Sequence, residues 1–201
     1  MGGEQRVLSA GTDDVCGKVG LWAQLLGFFQ QRWADLEYIM VDSSVVKAHQ
    51  DSMRSSEPKE AAAIGRSRGG LSTKIHLACD GLGYPLAFIL TGGERGDATQ
   101  ATALLRKTIK KDSACLLDCG YDSDAIRTFI VQSGGTAVIP QHPNRAGLIP
   151  MDKHIYKERH KVENLFQKLK RFRRIASRFE MKTSHYAAML SIACVLLWLK
   201  A

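Results

Sequence analysis

The stretch Tyr156 to Lys170 reads YKERHKVENLFQKLK, and its spacing organises the rest of the chain. Val162, Leu165, Phe166 and Leu169 recur at three- and four-residue steps, the pattern of a helix buried along one stripe. Tyr156, Arg159, Glu163 and Lys170 recur at steps of three, four and seven, which predicts a second, polar stripe on the same helix. One carboxylate there stands among basic groups and a phenol. A solvated face with ordinary ion pairs is the plain account; the rest of the chain decides whether it suffices.

Toward the C-terminus the helical pattern continues through RFRRIASRF, residues 171 to 179, and a last helix is predicted from Ser184 to Leu199. Ala187 to Leu199 is strongly apolar but has only 13 residues, short of the roughly 20 that cross a bilayer, and it reads as a buried helix with no membrane partner. Between Lys153 and Lys182 there are 11 Lys and Arg against 3 Glu, so this segment carries the whole formal net charge of +8. A localised cationic excess makes a polyanion the natural partner.

Toward the N-terminus, Leu36 to Ser43 is the first predicted strand and puts Asp42 directly after Ile39, Met40 and Val41. A carboxylate at the end of a buried strand is costly unless something uses it. Lys47 to Gly70 has loop composition and is expected to order on a partner. Leu71 to Cys79 and Pro85 to Thr91, joined by Asp80-Gly-Leu-Gly, predict an antiparallel hairpin, so the first three strands form a meander. A helix follows to about Lys110, with Asp97 or Thr99 as its cap. Ser113 to Asp118 is a fourth strand that again ends in an aspartate. A helix from Asp122 to Ser133 and a fifth strand, Thr136 to Ile139, complete the sheet, and His142 to Ile155 is an irregular connection.

The chain of 201 residues, 45% hydrophobic, suffices for one substantial core. Residues 1–35 are expected to be a short helical or disordered remnant, with Trp22 to Trp33 as a helix, and residues 36–201 to be the main domain. The five cysteines, Cys16, Cys79, Cys115, Cys119 and Cys194, lack paired zinc spacing and imply a reducing setting; Cys115 and Cys119 are expected to be buried. His49, His76 and His160 are expected to be satisfied or solvent-facing rather than acid–base groups.

The element order predicts a mixed α/β sheet in which the first and fourth strands are parallel neighbours, bringing Asp42 and Asp118 to one edge. Two close aspartates repel unless a cation intervenes, and hard oxygen donors favour Mg²⁺ or Mn²⁺. Glu163, on a helix packed over that sheet, can supply a third donor. Two such ions can activate an attacking oxygen and stabilise a leaving one at phosphorus.

Asp42 in VDSSVVKAH, Asp118 in LLDCGYDSDAIR and the Tyr156-x2-Arg159-x3-Glu163-x6-Lys170 pattern closely resemble the three motifs of bacterial insertion-sequence transposases of the DDE type, in the family numbered five and its relatives. GRSRGGLSTKIHLACDGLGYP and LTGGERGDATQA resemble the same family, so the likeness runs from about Leu36 to the C-terminus. The resemblance implies a ribonuclease H-like fold: a five-stranded mixed sheet, three antiparallel strands plus two parallel ones, flanked by helices. It implies Asp42, Asp118 and Glu163 as catalytic metal ligands for two ions, Mg²⁺ with Mn²⁺ as a substitute. It also implies cleavage that exposes a 3′-hydroxyl at the element's ends and attack by that hydroxyl on target DNA. Tyr156, Arg159 and Lys170 are carried over as DNA contacts, and the neighbouring cations Lys161, Lys168, Arg171, Arg173 and Arg174 are expected to follow phosphates.

The implied partners are DNA, at terminal inverted repeats and at the target, and a second copy of the chain holding the other end. A cytoplasmic, nucleoid-associated bacterial setting follows. Relatives carry a longer N-terminal helical region than the 35 residues before the first strand here, so a product of an upstream reading frame is a further expected partner. The alternative is a truncated, non-catalytic fragment that binds DNA or regulates a complete transposase.

Overall fold

The structure, a computed structural model, describes residues 17–54 and 58–200. Its central strand is β1, Tyr38–Ala48. Along one side β1 pairs antiparallel with β3, Gly70–Cys79, which in turn pairs antiparallel with β4, Pro85–Gly92. Along the other side β5, Ala114–Leu116, runs parallel to β1, and β6, Thr136–Val138, runs parallel to β5. These are the meander and the two parallel strands that the sequence predicts. Two short strands extend the sheet to seven: β2, Gly65–Ser67, beside the start of β3, and β7, Ser177–Arg178, beside the end of β1.

Successive side chains of a strand face opposite ways, and β1 divides the core accordingly. Met40 and Val46 join a cluster with α1 (Gly17–Trp33), α6 (His160–Lys170), α7 (Arg173–Ala176) and α8 (Thr183–Trp198). Ile39 and Val41 join another with α3 (Ala98–Thr108) and α4 (Asp124–Gln132). Two further short helices, α2 (Lys59–Ala62) and α5 (Lys153–Tyr156), precede β2 and α6. Val162, Leu165, Phe166 and Leu169 are all buried, so the apolar stripe read from sequence is the one that seats α6 on the sheet. From α1, Leu26 and Phe29 enter the same cluster, and Phe29 stacks on Trp198 at 6.3 Å.

Several local expectations are corrected. Asp42 lies within β1 rather than at its end, because pairing with β3 carries the strand to Ala48. Only the pairing with β5 stops early, at Met40 opposite Leu116. Lys47 to Gly70 is not simply loop: among the described residues it contains the end of β1, a 3-10 turn at Gln50–Arg54, α2 and β2. The reason is a buried arginine outside the segment. Arg178, fully buried, donates from Nη1 to Ala63 O at 3.2 Å and to Thr73 Oγ1 at 2.7 Å, while Thr73 Oγ1 donates to Ala63 O at 2.7 Å.

The helix predicted as one run from Tyr156 is α5, then a 3-10 turn at Lys157–Arg159, then α6. It does not continue to Arg178: Phe172 turns to an extended conformation, α7 is one short turn, and Ser177 and Arg178 are strand. Cys115 is buried as expected, whereas Cys119 is exposed on the 3-10 turn that follows β5. Cys16 lies outside the described residues. In the Asp80 to Gly83 turn, Asp80 Oδ1 accepts from Leu82 N and Tyr84 N, and Gly83 takes φ +85°, a conformation that favours glycine.

Candidate active site

Strand register places the two aspartates. Met40 is the last residue of β1 opposite β5, facing Leu116; Asp42 and Asp118 each follow two residues later and so leave the sheet on the same face, toward α6. Past this point β5 ends and the two chains part. Asp118 caps the following 3-10 turn, its Oδ1 accepting from Gly120 N at 2.9 Å. Asp42 Oδ1 likewise accepts from Ser43 N at 2.8 Å. Each aspartate thus fixes one oxygen on its own backbone and turns the other outward.

Both free oxygens face one guanidinium. Arg159 Nη2 is 2.9 Å from Asp42 Oδ2 and 4.0 Å from Asp118 Oδ2, and Nη1 is 2.7 Å from Glu163 Oε1. Three carboxylates far apart in sequence therefore meet around a single cation. Glu163 stands one helical turn beyond Arg159, which makes their contact local; Asp42 and Asp118 come from separate strands. Arg159 itself is only 13% exposed, and its Nε is buried without a hydrogen-bond partner.

The charges do not balance here, since three acids surround one guanidinium. Burial pushes the Asp42 carboxyl above its usual range; Arg159 and the Ser43 amide oppose this, while Asp118 and Glu163 reinforce it. For Arg159, burial disfavours the charge, yet Asp42, Tyr156, Asp118 and Glu163 outweigh burial and hold its pKa above the ordinary value. The donor set is all carboxylate oxygen, which suits Mg²⁺ or Mn²⁺, and the excess of negative charge suits a divalent ion. Its present spacing suits the guanidinium: among the described residues no three acidic, imidazole or thiol groups converge closely enough to hold a metal.

Beneath Asp42, on the opposite face of β1, lies a polar group that sequence reasoning read differently. Asp97 was expected to cap α3 but makes no side-chain cap bond. Instead its Oδ1 accepts from Ser43 Oγ at 2.7 Å and stands 3.0 Å from Lys74 Nζ and 3.8 Å from His76 Nδ1. His76 is buried, its Nε2 is 2.8 Å from Thr91 Oγ1, and its Nδ1 has no hydrogen-bond partner among the described residues. The period-two alternation of β1 and β3 was the available signal: Ser43, Lys74 and His76 share the face that α3 approaches. His49 stacks on Phe179 and His160 is exposed, so neither is at the site.

The remaining residues singled out from sequence divide. Tyr156 packs against the core beside Arg159, and burial raises its pKa. Lys161 turns away, donating to Gly81 O at 2.6 Å and pairing with Glu158 at 2.7 Å. Lys168, Lys170, Arg171 and Arg173 are exposed and make no ion pair among the described residues. Arg174 reaches Glu180 at 3.5 Å.

Comparison with known proteins places the family and the fold. The sequence profile of the transposase DDE domain matches residues 33–198. A Brucella ovis protein named as a transposase for insertion sequence element IS6501 is 38% identical over 131 residues, which are 65% of this chain and 100% of the relative. A Burkholderia cepacia protein named for element IS402 is 30% identical over 158 residues, covering 73% of this chain and 72% of the relative. In structure, a piggyBac transposase in a synaptic complex with hairpin DNA superposes with a TM-score of 0.56 at 11% identity, a likeness of fold. The match takes in 88% of this chain and spans 49% of that one. Among the described residues no helix is long and apolar enough to cross a membrane.

Proposed function

This chain belongs to the family of transposase DDE domains, and from that premise we propose that Asp42, Asp118 and Glu163 hold divalent cations at which DNA is cut and rejoined at the ends of an insertion sequence. The single observation that carries the reading is the convergence of those three carboxylates on Arg159. Mg²⁺ or Mn²⁺, when bound, supplies Lewis acidity toward phosphate oxygens and lowers the pKa of an attacking hydroxyl.

The chain's own groups do the rest. Asp42 and Asp118 are held ready by the Ser43 and Gly120 amides, which fix one oxygen of each and leave the other for a ligand. Arg159 pairs with the acids, and with a cation held by them its guanidinium would be available to a phosphate of the DNA. Guanidinium fits phosphate as well as carboxylate, so the exchange replaces one charge-assisted contact by another. Tyr156 bounds the site beside Arg159. Lys168, Lys170, Arg171 and Arg173 continue the cationic path along α6 and its end, where they neutralise backbone phosphates. Two copies, one per element end, are the expected working assembly.

Incubation of the chain with DNA carrying the element's terminal repeats and Mg²⁺ tests this. The expected products are strands ending in a 3′-hydroxyl and their joined forms, lost in Asp42→Ala, Asp118→Ala and Glu163→Gln. Activity that survives in all three removes the proposed site; DNA binding with no cleavage under any divalent ion favours a regulatory fragment.

A further inference from the structure

Where β7 meets the end of β1, Arg54, Arg174, Lys182 and His185 line a cavity of about 320 Å³ together with Phe179. They come from three separate stretches of chain. Arg54 and Lys182 are exposed and form no ion pair among the described residues. The one acid present, Glu180, is engaged: Oε2 accepts from Phe179 N at 3.2 Å and Oε1 lies 3.5 Å from Arg174. The cavity therefore has cationic groups to spare. Phe179, whose ring stacks on His49 at 4.3 Å, supplies an apolar wall. Cations around a flat hydrocarbon wall suit a phosphodiester with its sugar better than a bare anion.

Its place in the fold relates it to the acids. Ala48 of β1 pairs with Arg178, the residue before Phe179, and Ala48 is six residues from Asp42. At ~3.3 Å per residue this length of strand spans about 20 Å. Successive phosphates of one strand of a duplex advance ~3.4 Å along its axis, so a duplex lying along this direction would reach both with about six base steps between them. The exposed cations Lys170, Arg171 and Arg173 lie between Glu163 and Arg174 in sequence.

We propose that this cavity is a phosphate subsite for bound DNA, holding the backbone about six base steps from the linkage that is cut. The proposal rests on the DNA-processing reading above, and it concerns residues that reading leaves unused.

The test is binding of the full chain to a fluorescent DNA duplex in EDTA, which silences the carboxylate site, as a function of salt. Each lost phosphate contact lowers the slope of log K against log salt by about 1, so Arg54→Gln/Lys182→Gln should lower it by about 2 relative to wild type. Arg54→Lys/Lys182→Arg should restore the slope, and Lys107→Gln/Lys110→Gln, on the opposite layer, should leave it unchanged. Thermal melting confirms that each variant is folded. A wild-type slope in the Arg54/Lys182 double variant, or an equal loss in the Lys107/Lys110 control, overturns the subsite while leaving the DNA reading intact. Absence of duplex binding by the wild type overturns both.

Discussion

Arg159 Nη2 stands 2.9 Å from Asp42 Oδ2, and the pair joins a helical segment to the central strand where Asp118 and Glu163 also approach the guanidinium. In the proposed reading this contact occupies the place where the acids would share a metal. Arg159 is the partner that makes a cluster of like charges tolerable, and on the proposed function it is also a competitor for the ion.

Removing the competitor should strengthen metal binding while harming activity. Arg159→Ala is expected to bind Mn²⁺ roughly tenfold more tightly than wild type, the scale of losing one charge-assisted hydrogen bond worth ~1.5 kcal/mol. Isothermal titration without DNA measures this. Equal or weaker Mn²⁺ binding in the variant would show that the guanidinium does not compete.

Asp97 should act through Ser43. Its carboxylate holds the Ser43 hydroxyl at 2.7 Å, and the Ser43 amide holds Asp42. Loss of a group that orients a metal ligand typically lowers metal affinity or activity 10–100-fold, and about tenfold is expected for Asp97→Ala. Asp97→Asn, which keeps an acceptor for Ser43 Oγ, should lose less. Mn²⁺ affinities of the two variants separate this from simple destabilisation.

His76 gives the fold an acid-sensitive element. An unfolded imidazole protonates near 6.5, whereas burial, opposed by Asp97 and assisted by Lys74, lowers the pKa of His76 to about 4. Between these values the unfolded chain binds more protons, so the stability from a neutral His76 is complete above pH 6.5 and lost as pH falls toward 4. The slope is at most ~1.4 kcal/mol per pH unit. Urea melts of wild type and His76→Gln from pH 7 to pH 4.5 should diverge, with the variant flatter; parallel curves would contradict this.

Arg178 should be among the most sensitive buried positions. Its guanidinium reaches Ala63 O, Thr73 Oγ1, Glu180 O and Thr183 Oγ1 and lies over the Tyr186 ring. Arg178→Ala opens a void and strands buried acceptors, with an expected loss of ~3–5 kcal/mol in denaturant unfolding. Arg178→Lys, a point charge without the planar fork, should recover only part of it.

Much of this organisation was legible from residue order alone. Period-two and period-3.6 patterns announced the strands around Asp42 and Asp118 and the seat of α6, because burial of one face leaves a regular apolar record. Asp42 and Asp118 were legible as carboxylates placed after apolar runs, and Glu163 as the one acid on a polar helical stripe. Long-range polar contacts were not: nothing local in RFRRIASRF shows that Arg178 is buried under Ala63 and Thr73, or that Asp97 turns from its helix to Ser43. Such contacts depend on strands brought together by topology. Arg159 was legible as a cation near Glu163, but its insertion between the two aspartates depends on the register of β1 with β5.

The most direct measurement of the central claim is the number of Mn²⁺ ions bound by the full chain, read by electron paramagnetic resonance in the wild type and in Asp42→Asn, Asp118→Asn and Glu163→Gln. The account predicts up to two ions on the wild type and loss of tight binding in each aspartate variant, with the fold retained. Unchanged Mn²⁺ stoichiometry and affinity in all three variants would contradict it.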